Sequence, residues 1–435
     1  MNCHETNRRV FSSPTALDLF GKAGQWMSLL LIAALPSVSF AQQFDAPFVA
    51  FQEKHADKWE KEDKVINDKL AALEKKFGKK PNIIYILADD VGFGELGWQG
   101  GGKHRGAPSP SLDKMAHEGM RFFWSYSEPS CTPSRIAINT GRHPVRTGLT
   151  SVLWPGAEEG LSGEEVTIAE VLSEAGYHTA MWGKWHLGEA QEHLPENQGY
   201  DYAYYGVWNG MIDQWAASAK FYENNMPQLI AGNSPDFPGR DAYLEQTGID
   251  IRQMGYIGEK GKGRKPIKGI TGVTSPERQE AFENESISQI TVYVKDKAKS
   301  DKPFFVYWAT FNQQISGSKE YQDAPHVDRY NAMASFNVMH DNHVSQLLDT
   351  LRDQGIAENT LVVWWSDNGP MDAFYPTGGS TWLKGGKGSV TEGGVRLPAM
   401  AWWPGMIEPN QDPLDMIHLT DLYTTAARLG GAMDN

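Results

Sequence analysis

The feature that most limits the possible fold of this chain is a series of short apolar runs rich in β-branched and aromatic residues. The runs cover residues 82–88 (NIIYILA), 303–310, 361–366 and 399–403. Apolar runs of this length without polar alternation are typical of strands buried on both faces of a sheet. Helical patterns separate the runs at residues 110–119, 166–176 and 331–355. The alternation predicts the α/β class, with a doubly wound, mostly parallel sheet flanked by helices.

The N-terminal residues have the pattern of a signal peptide. Arg9 and Lys22 precede an apolar run at residues 27–35, and small residues follow as far as Ala41. The run is shorter than the roughly 20 residues that a membrane-spanning helix needs. We therefore expect residues 1–41 to be a cleaved signal peptide. The mature protein is expected to be periplasmic or secreted, with no stable membrane anchor.

Residues 42–80 are dense in Lys and Glu and carry apolar side chains at helical spacing. These are Trp59, Ile66, Leu70, Leu73 and Phe77. The pattern predicts an amphipathic helical extension before a catalytic domain at residues 81–435. A helix on the domain surface and a coiled-coil segment are the two interpretations. The pattern is shorter than the roughly three or four heptads that a coiled coil needs, which favours the first.

Residues 201–300 differ in composition from the rest of the domain. Aromatic residues cluster at 202–215, and lysine, arginine and glycine cluster at 260–268. We interpret the segment as an insertion over the ligand-binding face of the domain. The aromatic and basic side chains would then contact a sugar and a polyanion, or they would be core residues and a solvated loop. The sequence leaves both interpretations open.

The charge argues against a nucleic-acid partner, and the cysteine content argues against an internal disulfide in the mature protein. The formal net charge is −14, which argues against nucleic acid as a partner. The chain has two cysteines, and Cys3 would leave with the signal peptide. Cys131 would then have no partner for an internal disulfide, so it is a candidate for chemistry in an oxidising compartment.

Two acidic pairs directly follow predicted strands. Asp89 and Asp90 come after the first strand, and Asp367 and Asn368 after a later one. The carboxyl ends of parallel strands form one edge of the sheet, so both pairs should lie at the ligand-binding edge. Four oxygen donors suit calcium, with magnesium as the weaker alternative, better than zinc. Either pair alone could be a turn or a helix cap.

Cys131 stands two residues before Pro133, at the expected start of a helix. The unpaired N–H groups and the positive end of the helix dipole would favour an anion there, and Arg135 would face the same place one turn later. A buried structural cysteine is the simpler alternative, and this context argues against it.

Cys131-Thr132-Pro133-Ser134-Arg135, followed by Thr140-Gly141-Arg142, resembles the signature of type I, formylglycine-dependent sulfatases. These are arylsulfatase-like enzymes with the alkaline phosphatase superfamily fold. Further family segments follow in order. They are residues 82–90 with the first metal pair, residues 183–188 (GKWHLG), residues 366–369 (SDNG) and residues 386–396 with a late lysine.

The resemblance implies a sulfuric ester hydrolase. Cys131 would be oxidised to formylglycine by a formylglycine-generating or anaerobic sulfatase-maturing enzyme, and its geminal diol would attack sulfur. Calcium would be held by Asp89, Asp90, Asp367, Asn368 and the residue made from Cys131. Arg135 would steady the hydrated formylglycine. Lys184 and Lys387 would bind the sulfate and stabilise the leaving oxygen, and His186 would bind substrate and be the base that collapses the sulfated hemiacetal.

Two departures from the family pattern concern the leaving group and the C-terminus. Many members carry a histidine shortly after the strand at 303–310, whereas this chain continues from Phe311 and Asn312 without one. His326 would reach in, Lys387 would act alone, or the substrate would have a good leaving group. The small C-terminal sheet subdomain usual in the family is expected to be absent or truncated, because the sequence ends at Asn435.

The sequence leaves the substrate and two rival functions open. The expected substrate is an aryl sulfate or a sulfated carbohydrate. A phosphate or phosphonate ester hydrolase would use the same kind of anion pocket on this fold. An inactive, calcium-dependent glycan binder would explain the missing histidine.

Overall fold

The computed structural model describes residues 46–153, 157–207, 255–267, 276–312, 319–328, 332–371 and 379–432. The predicted signal peptide and the central part of the predicted insertion lie outside these residues. In the described part of the chain, no helix has both the length and the apolar character needed to cross a membrane.

The centre of the fold is a mixed sheet of nine strands within the described residues. Strands β1 to β11 are Asn82–Asp89, Met120–Phe122, Ser125–Tyr126, His178–Lys184, Tyr202–Gly206, Gly255–Glu259, Gly263–Pro266, Phe304–Asn312, Thr360–Ser366, Ala399–Trp402 and Ile417–His418. The order in the sheet is β2-β10-β9-β1-β8-β4-β5-β6-β7, while β3 and β11 pair separately. The five central strands, from β9 to β5, are parallel, and the strands at both edges are antiparallel.

Helices cover both faces of this sheet. Helices α1 to α10 are Ala46–Phe77, Pro110–Glu118, Cys131–Thr140, Pro144–Thr147, Ile168–Glu174, Pro276–Lys297, Lys319–Gln322, Ala332–Asp353, Glu392–Val395 and Asp421–Gly430. One core lies against α3, α5 and α10, and the other lies against α2, α6 and α8. The predicted α/β class, with a doubly wound and mostly parallel sheet, is confirmed.

Strand β1 shows why the apolar runs form the centre of the sheet. Ile83 and Tyr85 pack in one core, Ile84 and Ile86 in the other, and all four are at most 1% exposed. Successive side chains point to opposite faces, so a strand covered on both sides must be apolar at every position. Burial of each large apolar side chain is worth about 1.5–3 kcal/mol.

The chain divides into two compact units, one as far as Val65 and the other from Ile66 onward, and α1 runs through both. In the first unit the rings of Phe51, His55 and Trp59 contact one another along the helix. In the second unit Leu73 is buried in the core beside α3, α5 and α10.

The prediction that residues 201–300 form an insertion over the ligand-binding face needs correction at both ends and in the basic segment. Tyr202–Gly206 is β5, a parallel strand of the sheet, and Pro276–Lys297 is α6, which packs against it. The β6–β7 hairpin pairs Glu259 with Tyr202, so its turn lies where β5 begins. Lys260, Lys262 and Arg264 therefore lie at the edge opposite the carboxyl ends of the parallel strands.

Candidate functional site

The carboxyl ends of β1 and β9 bring the two acidic pairs together. The strands are parallel and pair Ala88 with Ser366, so the residues that follow them are neighbours. The backbone N–H of Asp90 donates to Oδ1 of Asp367 over 3.0 Å, and Nδ2 of Asn368 donates to Oδ1 of Asp90 over 2.6 Å. The structure thus places Asp89, Asp90, Asp367 and Asn368 in one buried cluster, as the sequence predicted.

This cluster fits a divalent cation. Oδ1 of Asn368 is buried without a hydrogen-bond partner in the described structure, although an amide oxygen in a protein interior normally has one. Burial first, and then the charge of the Asp89 carboxylate, raise the pKa of Asp367 to about 7. Carboxylate and amide oxygens are ligands that calcium prefers. A calcium ion would supply a partner for Asn368 and relieve the repulsion.

Cys131 is the first residue of α3 and lies directly beside this cluster. Its thiol is 1% exposed, with Sγ 3.6 Å from Oδ1 of Asp89 and 3.0 Å from Nζ of Lys387. Asp89, Asp90 and Cys131 each offer one atom within 4.8 Å of the others. Burial raises the pKa of the thiol to about 12, so an unmodified Cys131 is a poor nucleophile at neutral pH.

Arg135 lies one helical turn after Cys131, as predicted, and its guanidinium is fully buried. It donates to the backbone carbonyl of Lys184 over 2.9 Å and to Oδ2 of Asp367 over 2.9 Å. Its NH2 atom is also 3.7 Å from Oδ1 of Asp89. Arg135 therefore connects α3, β4 and the two acidic pairs in one fixed arrangement.

Lys184 ends β4 with its ammonium group inside the cluster. Nζ donates to Oδ2 of Asp89 over 2.8 Å, and neither side chain is exposed. Burial alone would raise the pKa of Asp89, but the charges of Lys184, Lys387 and Arg135 together hold it well below its usual range. Asp89 is therefore ionised throughout the physiological range.

The glycine before Lys184 is required by its surroundings. Gly183 has φ +99°, and a Cβ atom there would come 1.7 Å from the carbonyl oxygen of Ala309 on β8. Only glycine allows β4 and β8 to approach this closely at the point where Lys184 turns towards the carboxylates. This explains the Gly-Lys segment of the sequence.

Lys387 comes from the loop between β9 and α9. Its ammonium group lies 2.5 Å from Oδ1 of Asp90 and 3.0 Å from Sγ of Cys131. Burial lowers its pKa, but Asp90 and the other acidic groups outweigh this and raise it well above the usual value. The site thus holds two lysine ammonium groups, Lys184 against Asp89 and Lys387 against Asp90.

His186 lies in a strained backbone conformation with φ +61° and is 2% exposed. Its Nε2 atom is 2.9 Å from the backbone carbonyl of Leu153. A carbonyl oxygen only accepts, so Nε2 carries the proton and Nδ1 is the unprotonated nitrogen of the neutral ring. Burial and then the charge of Lys184 lower its pKa well below the usual value, which keeps the ring uncharged at neutral pH.

Two serines that the sequence reasoning did not identify hold the cluster in place. The Ser134 hydroxyl donates to the backbone carbonyl of Asp367 over 2.5 Å, which ties α3 to the loop after β9. The Ser366 hydroxyl accepts from Val91 N over 3.0 Å and donates to the carbonyl of Asn368 over 3.2 Å. The only sign of this role in the sequence is that Ser134 lies in the segment that starts at Cys131 and that Ser366 directly precedes Asp367.

A buried carboxyl group near the end of β8 was also missed. Glu283 on α6 is 1% exposed, and its Oε1 accepts from Phe311 N over 2.8 Å. Burial raises its pKa to about 8. His326, one of the predicted sources of a leaving-group proton, is exposed on the loop after α7. The residues directly after Asn312 lie outside the described structure.

A cleft of about 440 Å³ opens beside the acidic cluster. Its lining includes Phe93, Pro370 and Gly385, which belong to the same three loops as Asp90, Asn368 and Lys387. The indole of Trp382 forms part of the wall and is 63% exposed. Arg105 also lines the cleft, 3.7 Å from the buried carboxylate of Glu95. The cleft thus offers an aromatic face and a guanidinium group.

Comparisons with known proteins identify similar sequences and structures. The profile of the family described as Sulfatase matches residues 81–432. Arylsulfatase A of Homo sapiens is 34% identical over 362 residues, which cover 81% of this chain and 65% of that protein. The chain therefore spans just under two thirds of the length of this curated relative.

Two crystal structures are also similar to the chain. PsFucS1 sulfatase from Pseudoalteromonas sp. has a TM-score of 0.75 and 32% sequence identity, covering 86% of this chain and 72% of that one. Ps i-CgsB in complex with k-i-k-neocarrahexaose has a TM-score of 0.63 and 27% identity, covering 81% and 72%.

Proposed function

The chain belongs to the sulfatase family, and on that premise we propose that it hydrolyses a sulfate ester. The observation that carries the proposal is the position of Cys131. It starts α3 between the Lys387 ammonium and the Asp89 carboxylate, beside a cluster of oxygen donors. A thiol with a pKa of about 12 has no evident use in this setting, whereas an oxidised residue 131 does.

We propose that Cys131 is converted to formylglycine, which when hydrated supplies a geminal diol whose hydroxyl attacks sulfur. Lys387, now 3.0 Å from Sγ, would donate to the diol and keep its attacking oxygen close to the substrate. Arg135 would hold the pair of Asp367 and Asn368 in place, because its guanidinium already donates a hydrogen bond to Asp367.

We propose Asp89, Asp90, Asp367 and Asn368 as the ligands of a calcium ion, with residue 131 as a further ligand. Calcium would supply positive charge next to the sulfate oxygens. The unpartnered Asn368 Oδ1 and the raised pKa of Asp367 support this assignment. Magnesium is the weaker candidate, since it is held by fewer protein oxygens and retains several waters.

Lys184, Lys387 and His186 would supply charge stabilisation and proton transfer. Lys184 and Lys387 are fixed cations where negative charge grows on the sulfate and the leaving oxygen. Lys387 also has a proton to give, and the structure holds it close to residue 131. His186 would take a proton from the second hydroxyl of residue 131 at Nδ1, because its Nε2 proton is committed to Leu153.

The proposed chemistry needs a maturation partner, and we propose that the protein is exported. The signal-peptide pattern of residues 1–41 supports a periplasmic or secreted location. A formylglycine-generating or anaerobic sulfatase-maturing enzyme would act on Cys131 before the chain folds, because the thiol is 1% exposed in the folded protein.

The test expresses the chain with such a maturation enzyme and compares hydrolysis of an aryl sulfate with that of an aryl phosphate diester. The sulfatase proposal predicts turnover of the sulfate, a mass change at Cys131, and no turnover by Cys131→Ala. Cleavage of the diester alone would favour the phosphate hydrolase. An unmodified Cys131 with calcium-dependent glycan binding would favour the inactive binder.

We further propose a sulfated carbohydrate as the substrate class. The cleft formed by the loops that carry Asp90, Asn368 and Lys387 has an exposed indole on which a sugar ring can stack, and the Arg105 guanidinium can bind an anionic group. The structural relative Ps i-CgsB, at 27% identity, was crystallised with k-i-k-neocarrahexaose. The basic β6–β7 hairpin lies at the opposite edge of the sheet and is not part of this proposal.

A pair of variants tests this substrate class. Trp382→Ala should raise KM for a sulfated oligosaccharide by about tenfold, in line with 1–3 kcal/mol for aromatic stacking on a ring, and should change a small aryl sulfate far less. In the matched control, Lys262, Arg264 and Lys265 are all replaced by Ser. This variant should keep the KM of wild type for both the oligosaccharide and the aryl sulfate. Equal loss on both substrates in Trp382→Ala would contradict the assignment.

A further inference from the structure

A second group of metal-binding side chains lies outside the acidic cluster. It consists of Glu128, His143 and His418, and each offers one ligand atom within 4.8 Å of the other two. Glu128 follows β3, His143 caps α4, and His418 ends β11. In the described part of the chain, this group and the one containing Cys131 are the two that satisfy this geometry.

The distances in this group match a tetrahedral metal site. Oε1 of Glu128 is 2.9 Å from Nδ1 of His143 and 3.7 Å from Nε2 of His418. Ligands about 2.0–2.1 Å from zinc at tetrahedral angles are roughly 3.3 Å apart, midway between these values. The two imidazole rings lie 4.7 Å apart between centroids, so both can face one ion.

The His418 side chain and the backbone of Glu128 are already held in position. Nδ1 of His418 lies 3.0 Å from the Thr420 hydroxyl and 3.2 Å from the Thr420 backbone nitrogen, and Nε2 faces Glu128. With zinc on Nε2, the neutral ring would carry its proton on Nδ1 and donate it to the Thr420 hydroxyl. The backbone N–H of Glu128 donates over 3.2 Å to the Ser134 hydroxyl, whose own proton goes to the Asp367 carbonyl, so the backbone of Glu128 is tied to α3. Such contacts behind a ligand fix its orientation and raise the affinity of a metal site.

We propose that Glu128, His143 and His418 form a zinc site separate from the calcium cluster. Two imidazole nitrogens and one carboxylate oxygen suit zinc and disfavour calcium, which takes oxygen ligands. His143 is 57% exposed and Glu128 and His418 are about one fifth exposed, so an ion can enter from solvent and keep water as a fourth ligand. Zinc would take the place of the hydrogen between Oε1 of Glu128 and Nδ1 of His143, and the neutral His143 ring would then carry its proton on Nε2.

Binding here would stiffen the entry to α3. Glu128 stands three residues before Cys131, and the β3–β11 pair brings His418 to it from the C-terminal part of the chain. His143 lies just beyond the end of α3. One ion would therefore link both ends of the helix that starts at Cys131 to β11. The site does not depend on the reaction proposed above.

The test titrates zinc alone into untagged Cys131→Ala protein saturated with calcium, so that neither the thiol nor the acidic cluster competes. One equivalent should bind and raise Tm. His143→Ala and His418→Gln should each weaken binding by at least about tenfold, since loss of even an outer contact typically costs about 10- to 100-fold. His104→Ala, which removes an exposed histidine elsewhere, is the matched control and should bind normally.

X-ray absorption at the zinc edge gives a second readout. It should show two imidazole nitrogens in the parent and one in His143→Ala. Zinc affinity and Tm shift that stay unchanged in a His143→Ala/His418→Gln double variant would overturn the site, leaving Glu128 and His143 as a surface ion pair. Failure of the sulfatase assay would not bear on this outcome.

Discussion

Nζ of Lys184 lies 2.8 Å from Oδ2 of Asp89, and both side chains are fully buried. Removing one partner of a buried ion pair leaves the other charge without compensation, which typically costs about 3–5 kcal/mol. Lys184→Met should therefore lower the free energy of unfolding in calcium-free protein, towards the lower end of this range because Arg135 and Lys387 still compensate Asp89, as measured by urea denaturation. It should also abolish sulfate ester hydrolysis.

The control for this prediction is the exposed pair of Lys114 and Glu118, 3.7 Å apart on α2. Lys114→Met should change stability by about 1 kcal/mol or less. A Lys184→Met/Asp89→Asn double variant should recover part of the loss, because neither charge then remains buried alone. Equal effects of Lys184→Met and Lys114→Met would refute the argument.

Calcium binding should depend on the unpartnered oxygen of Asn368. Removing calcium with a chelator should lower Tm and abolish turnover, and adding calcium should restore both more effectively than magnesium. Asn368→Ala should lose most of the calcium-induced rise in Tm, measured by differential scanning fluorimetry. Asn67→Ala, on the exposed face of α1, should retain it. A normal calcium response in Asn368→Ala would remove this residue from the ligand set.

Gly183 and Gly176 separate backbone strain from a steric clash. Both have positive φ. A Cβ atom added at Gly183 would strike the carbonyl oxygen of Ala309, whereas one added at Gly176 would have no other heavy atom within 4 Å in the described structure. Gly176→Ala should cost about 1 kcal/mol through strain alone, and Gly183→Ala should cost several times more because β4 and β8 must separate. Thermal unfolding of the two variants, with circular dichroism as the check on folding, decides between them.

His340 should make the protein less stable in mild acid. It is fully buried, accepts from Trp364 Nε1 over 2.8 Å, and burial lowers its pKa to about 3. A lowered histidine pKa gives stability that is complete above about pH 6.5 and is lost as the pH falls towards 3. Its contribution should fall by up to about 2 kcal/mol between pH 7 and pH 5.

The comparison for His340 is His340→Gln, which keeps an acceptor for Trp364 but does not titrate. The difference in unfolding free energy between wild type and variant, measured at pH 5 and pH 7, should shift in favour of the variant at pH 5. A constant difference would mean that the imidazole is not the titrating group.

Glu283 should have the opposite pH dependence. Burial raises its pKa to about 8, so the stability associated with its neutral form is present below about pH 4.5 and is lost as the pH rises to 8. Glu283→Gln can still accept from Phe311 N and should be more stable than wild type at pH 8 but not at pH 5. A stability difference between the two proteins that is the same at pH 5 and pH 8 would contradict this.

The apolar runs predicted the strands well because a strand buried on both faces has few alternatives. The run at 82–88 is β1 with one more residue, and the acidic pairs follow β1 and β9 as expected. Tyr202–Gly206 was assigned to an insertion because its aromatic residues resemble a ligand-binding loop as much as a strand. Only its pairing with β4 identifies it as part of the sheet.

The chemistry of the first cluster was visible because its residues lie in short motifs. The group of Glu128, His143 and His418 could not be found from the sequence, because almost 300 residues separate the first from the last and no spacing rule connects them. The orientation of the β6–β7 hairpin was likewise hidden, because strand register decides which edge of a sheet a turn reaches.

Strand β7 is also poorly suited to pair with a strand of another molecule of this protein. It ends the strand order in the described structure, where an open row of N–H and C=O groups would invite a strand from another molecule. The strand is four residues long, carries Arg264 and Lys265, and ends at Pro266, which has no N–H to donate. Charge, shortness and a missing donor all oppose such pairing. Of the two interpretations that the sequence left open for the basic residues, ligand contact or a solvated segment, their place on this edge strand favours the second.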